Sequence, residues 1–181
     1  MAVTSHMVPL GTPAPDFALT DVNGKPVRRD DFAAAPALLV AFLCNHCPYV
    51  RHVEAEFGRL LAGYPELAVV GICTNDADAY PDDAPAPLAE QAARAGWSFP
   101  YLVDADQQVG RAYNAACTPD FFLYDGERKL VYRGALDDST PGNGKPVTGA
   151  NLRAAIDLVL AGKPVPEPHQ PSMGCSIKWR E

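Results

Sequence analysis

The stretch Ala37–Val50, "ALLVAFLCNHCPYV", holds the change of pattern that decides how this chain folds. Its first seven residues, Ala37–Leu43, form a continuous apolar run, which suits a central strand buried on both faces. Cys44-Asn45-His46-Cys47 follows, and after it the apolar spacing becomes helical. Val50, Val53, Phe57, Leu60, Leu61 and Tyr64 make one stripe. Pro48 suits a first helical position, where its missing N–H costs nothing, so Cys47 reads as the N-cap. A thiol placed there meets unpaired N–H groups and the positive end of the helix dipole, which lowers its pKa and exposes the sulfur. Cys44, three residues earlier, falls in the strand–helix loop. The pair can be a redox dithiol, half of a metal site, or a reactive thiol with a neighbour.

Outward from this unit the pattern alternates. On the N-terminal side, Phe17–Leu19 and Pro26–Arg28 flank Asn23-Gly24, a hairpin signal. On the C-terminal side, Leu67–Thr74 is a second buried strand, "NDADAYPDDAPAP" a polar loop that reads as solvated linker ahead of specificity element, and Leu88–Ala95 a short helix. Another helical stretch spans Gln107–Tyr113. Phe121–Tyr124 and Leu130–Arg133, joined by Asp125-Gly126, form a second hairpin. "ANLRAAIDLVLAG" is an amphipathic helix closed by Gly162. The order predicts one α/β domain over residues 1–181, with a central mixed sheet flanked by helices, an N-terminal hairpin and an extended, proline-rich tail over 163–181.

Composition narrows the function classes. A net charge of -7, with scattered basic residues, argues against a nucleic-acid groove. No apolar run approaches the ~20 residues needed to cross a bilayer, so no membrane partner is expected. The N-terminus has neither the basic nor the apolar region of a signal peptide, which makes the cytosol the expected location. Five cysteines in such a chain suit reduced core residues plus a few reactive ones better than a disulfide framework.

The strand–Cys–helix unit, the lead-in "APDF…NGKPV" and the segment "CTPDFFLYDGERKLVYRG" together resemble the thioredoxin-like superfamily. The similarity covers about Val8 to Gly162. It is to the redoxin branch, which includes the AhpC/TSA peroxiredoxins and the tethered thioredoxins of the TlpA and ResA type. "CNHCPYV" and the tail's "GCSIKW" also resemble peroxiredoxin-like bacterial proteins. The resemblance implies a thioredoxin-like fold in which a cis-proline, here Pro119, faces the active-site sulfur and Thr118 offers backbone to a substrate.

Two departures from the family pattern stand out. Counted from Phe42, the place of the first thioredoxin cysteine falls on Cys47, and that of the second on Val50. The peroxiredoxin pattern, ended on Cys47, puts Cys44 at its Thr/Ser place and Val40 at its proline, so the peroxide-binding groups are not visible. Cys47 is therefore expected as the attacking thiolate, with His46 beside it placed either to stabilise that thiolate or move protons or to point to solvent. Its resolving partners rank Cys44, then Cys175, then Cys117. Cys73 reads as a buried inert thiol.

The function expected is thiol–disulfide exchange or oxidant reduction. The substrate would be a protein or small-molecule disulfide, and thioredoxin or a small thiol the reductant. A peroxidase acting on peroxide and a non-catalytic peptide binder are the alternatives. No metal or other cofactor is expected, since no second Cys-x-x-Cys or Cys-x-x-His completes a zinc set.

Overall fold

The computed structural model describes residues 1–181. A seven-stranded mixed sheet has the order β3-β2-β6-β5-β4-β8-β9. Its strands are β2 (Ala18–Asp21), β3 (Pro26–Arg28), β4 (Leu38–Phe42), β5 (Ala68–Cys73), β6 (Tyr101–Val103), β8 (Asp120–Tyr124) and β9 (Leu130–Gly134). Every residue of β4 is buried, as a strand apolar on both faces requires. It pairs in parallel with β5 and antiparallel with β8. Its side chains divide between two cores, Leu39 and Ala41 on one face, Leu38, Val40 and Phe42 on the other.

Helix α1 (Pro48–Ala62) follows with Cys47 as N-cap, burying Val50, Val53, Phe57 and Leu60. Leu61 and Tyr64 are only partly covered. α2 (Pro85–Ala95) and α4 (Ala150–Leu160) share that face, and α3 (Gln108–Ala112) adds Val109 to the other core. This is the thioredoxin-like α/β arrangement that the resemblance implies.

Both expected hairpins form, and they share one turn. Asp21 and Asp125 each accept, through the side chain, the N–H groups two and four residues on. Each loop places its third residue in the left-handed region, Gly24 in the first and Arg128 in the second. The Asp125-Gly126 pair thus misplaces the left-handed residue. Arg128 adopts that conformation while its guanidinium donates to the carbonyls of Phe32, Ala35 and Asp125.

The tail departs most from the sequence reading. Residues Met173–Ser176 form a strand, β10, between β1 (Ala2–Thr4) and the two-residue β7 (Cys117–Thr118), making a small antiparallel sheet. Nothing in the proline-rich composition of 163–181 signals a strand, because its pairing partners lie at the far end of the chain and beside Pro119. No helix is long and apolar enough to cross a membrane.

Candidate functional site

The strand–helix loop brings Cys44 and Cys47 beside β7. Cys47 Sγ lies 3.3 Å from the Thr118 carbonyl, and Cys44 Sγ lies 3.2 Å from the Thr118 hydroxyl. The Thr118–Pro119 peptide bond is cis. Register pairs Cys175 of β10 with Thr118, and this sets Cys175 Sγ 2.7 Å from Cys47 Sγ. Cys175, second in the ranking from sequence, is therefore the thiol that meets Cys47. Cys117 pairs across the strands with Ser176 and turns its sulfur to the Pro119 carbonyl, at 3.6 Å. Cys73 is buried in β5.

Two expectations need correction. The helix-start sulfur was expected at the surface, yet Cys47 is 0% exposed. The tail strand covers it. Thr118 was expected to offer its backbone to a substrate, but β10 already pairs there. The fit is close: a Cβ on Gly174 would meet the Thr118 carbonyl oxygen at 1.9 Å.

The thiols differ in acidity. The Cys44 thiol is the largest influence on Cys47, lowering its pKa, while burial opposes it. Hydrogen bonds from the Cys175 side chain and from the Val50 and Cys175 backbone N–H groups add to the lowering, which brings Cys47 to about 5. Cys44 itself is driven well up by that bond and by burial. Burial, then the bond to Cys47, raises Cys175 to about 11. Cys73 and Cys117 are raised by burial first. The trio is thus one stabilised thiolate between two protonated neighbours.

The thiolate absorbance of reduced protein should appear with a midpoint near pH 5, and Cys44→Ala should move that midpoint upward. A midpoint unmoved by Cys44→Ala would remove Cys44 from this role. The sign for stability follows from a folded pKa lowered from 9.0 to about 5. The stabilisation owed to Cys47, wild type against Cys47→Ser, is full above the ordinary thiol range and is lost as pH falls toward 5.

The loop itself is held by Asp83. One of its oxygens accepts the backbone N–H groups of Asn45 (2.7 Å) and His46 (3.3 Å). The other accepts His46 Nδ1 (2.5 Å) and Asn75 Nδ2 (3.0 Å). Burial alone would raise the Asp83 pKa, but the donors from His46, Asn75 and Asn45 outweigh it and hold the carboxylate ionised. His46 stacks on Tyr80, with ring centroids 5.0 Å apart, and its Nε2 is buried without a partner. No hydrogen bond joins His46 to Cys47; its place is against Asp83. Gln91 donates to the Cys44 carbonyl, and Arg51 and Arg94 hold Asn45.

Asp83, Asn75 and Gln91 escaped the sequence reading. Asp83 lies in the acidic loop whose composition reads as solvated linker, and its partners at Asn45 and His46 are 38 and 37 residues away. No local pattern could flag it. Cys44, His46 and Asp83 also present ligand-type atoms within 4.8 Å of one another. Both Asp83 oxygens are already taken by N–H donors, so the group is built as a hydrogen-bonded node. No arginine hydrogen-bonds a cysteine: Arg51 and Arg94 serve Asn45, and Arg133 serves Val8 and His169. A small cleft of about 80 Å³ opens beside Pro119 and Met173, and no cysteine lines it.

The AhpC/TSA family pattern matches residues 10–133. The chain belongs to the AhpC/TSA family. It is similar to the thiol-disulfide oxidoreductase ResA of Geobacillus kaustophilus (strain HTA426), 30% identical over 131 residues, 71% of this chain and 72% of that protein. Among solved structures, an uncharacterized conserved protein from Geobacillus kaustophilus superposes with a TM-score of 0.96 at 52% identity, covering 99% of this chain and 97% of that one. A hypothetical protein from Sinorhizobium meliloti 1021 gives 0.93 at 51%, covering 98% of each. The AhpC/TSA match ends at Arg133, so Cys175 and β10 lie outside it. The two structures near half identity extend over the tail as well.

Proposed function

We propose that this AhpC/TSA-family protein is a thiol–disulfide oxidoreductase whose redox couple is Cys47 and Cys175. The approach of the two sulfurs to 2.7 Å carries the reading. The low pKa of Cys47 supports it, since a stabilised thiolate both attacks and leaves readily. The named relative ResA, a thiol-disulfide oxidoreductase, points the same way. Cys44 tunes Cys47 and does not resolve it, and His46 with Asp83 shapes the loop between them. The substrate is a protein or small-molecule disulfide, with thioredoxin or a small thiol restoring the dithiol.

Peptide mapping after mild oxidation is the test. A Cys47–Cys175 link is expected; a Cys44–Cys47 link, or five free thiols, would overturn the couple. The peroxidase alternative would consume one thiol rapidly with stoichiometric peroxide, whereas slow peroxide kinetics with fast disulfide exchange belong to the reading proposed.

A further inference from the structure

We propose that Cys175, rather than Cys47, is the sulfur that exchanges with outside thiols and disulfides, so the mixed disulfide forms on the tail strand. This rests on the Cys47/Cys175 couple proposed above. Accessibility separates Cys175 from the other cysteines. Cys44, Cys47 and Cys117 are each 0% exposed and Cys73 is 3% exposed, while Cys175 is partly open to solvent. A nucleophile in solution meets Cys175 first.

The cover over Cys47 does not lift easily. β10 is paired on both sides, and Gly174 lets it approach the Thr118 carbonyl closely. Beyond it, Ile177 N–H donates to the Ala116 carbonyl and Lys178 N–H to Asn75 Oδ1. Asp76 N–H returns a bond to the Lys178 carbonyl, Arg180 reaches the Ala105 carbonyl, and Arg111 lies over Trp179. Exposing Cys47 would break this whole set. Cys175 is partly open to solvent with all of it in place.

Leaving-group chemistry favours attack at the same sulfur. In the Cys47–Cys175 disulfide, an incoming thiolate RS⁻ attacks Cys175 Sγ and the S–S bond breaks toward Cys47. Cys47 departs as the more stable thiolate, and the lower-pKa thiol leaves faster. A second RS⁻ then attacks the outer sulfur of the Cys175–S–S–R adduct, releasing RSSR and the Cys175 thiolate, which takes a proton. The protein disulfide gains two electrons and two thiols become one disulfide. In reverse, Cys175 passes its proton to the Cys47 thiolate 2.7 Å away and attacks a substrate disulfide, expelling RS⁻. Cys47, its proton returned to solvent, then displaces the second RS⁻ from Cys175.

The test compares single-cysteine losses with an aromatic disulfide reagent that releases a coloured thiolate. Reduced Cys47→Ser protein should form a mixed disulfide at Cys175, located by mass spectrometry. Cys175→Ser protein should react at Cys47 about 100-fold more slowly or less, because burial outweighs its thiolate character. In that second protein, adding Gly174→Ala should restore Cys47 reactivity by displacing the strand, which separates burial from misfolding. Equal rates for the two single variants, or an adduct on Cys47 in oxidised wild type treated with a small thiol, would overturn the assignment. Absence of the Cys47–Cys175 disulfide in the mapping experiment would sink the couple itself, so the two failures are distinguishable.

Discussion

Cys47→Ser should cut disulfide-exchange turnover by about a thousandfold or more, because it removes both the stabilised thiolate and the intramolecular disulfide. A serine hydroxyl does not ionise in the working pH range and forms no S–S bond. Without added thiol the reaction then stops at the Cys175 half-step, where one equivalent of substrate disulfide reacts and a mixed disulfide accumulates; with thiol present only the slow attack of a second thiolate on that adduct remains. Cys44→Ser is the informative contrast. The approach of Cys47 to Cys175 does not run through residue 44, so that link survives and turnover falls by about tenfold at most. Cys117→Ser, with its sulfur on the Pro119 carbonyl, should stay within about twofold of wild type. The measurement is steady-state reduction of a small disulfide by a thiol, with the number of free thiols counted after quenching. A Cys44→Ser protein as dead as Cys47→Ser would return the couple to Cys44 and Cys47.

The contrast between those variants marks how far the sequence carries. The change from apolar run to helical stripe across Ala37–Tyr64 places Cys47 at the helix start, because strand burial and helical spacing are written in local pattern. The two hairpins and the position of Pro119 are equally local. The partner of Cys47 is not. Cys175 is 128 residues away, in a segment whose prolines forbid a helix but say nothing about a strand. β10 exists because β1 and β7 offer edges on either side, and Gly174 alone fits against the Thr118 carbonyl. Such pairing is a property of the assembled chain. The burial of Cys47 follows from the same strand, so an argument from the helix N-terminus could place the thiolate without seeing its cover.

Asp83→Ala should destabilise the fold by about 3–5 kcal/mol, the cost of leaving buried donors without their charged partner. At the usual conversion for a chain of this size that is roughly 10 °C in the melting temperature. Asp83 is 1% exposed, and its two oxygens hold Asn45, His46 and Asn75. Removing it orphans two backbone N–H groups of the cysteine loop together with the His46 and Asn75 side chains. Asp83→Asn, which keeps one carbonyl for the Asn45 and His46 N–H groups, should lose less. The folded pKa of Asp83 is held below the ordinary carboxylate value, so its contribution is present above that range and lost as pH falls through the lowered value. The gap between wild type and Asp83→Ala should accordingly shrink only in acid. The effect also reaches the redox couple. Asn75, once released by Asp83, is the acceptor of the Lys178 N–H, two residues beyond β10. Loosening that anchor should slow closure of the Cys47–Cys175 disulfide, read as the rate of thiol loss after a pulse of oxidant. Unchanged closure in a protein with a lowered melting temperature would uncouple the loop from the tail.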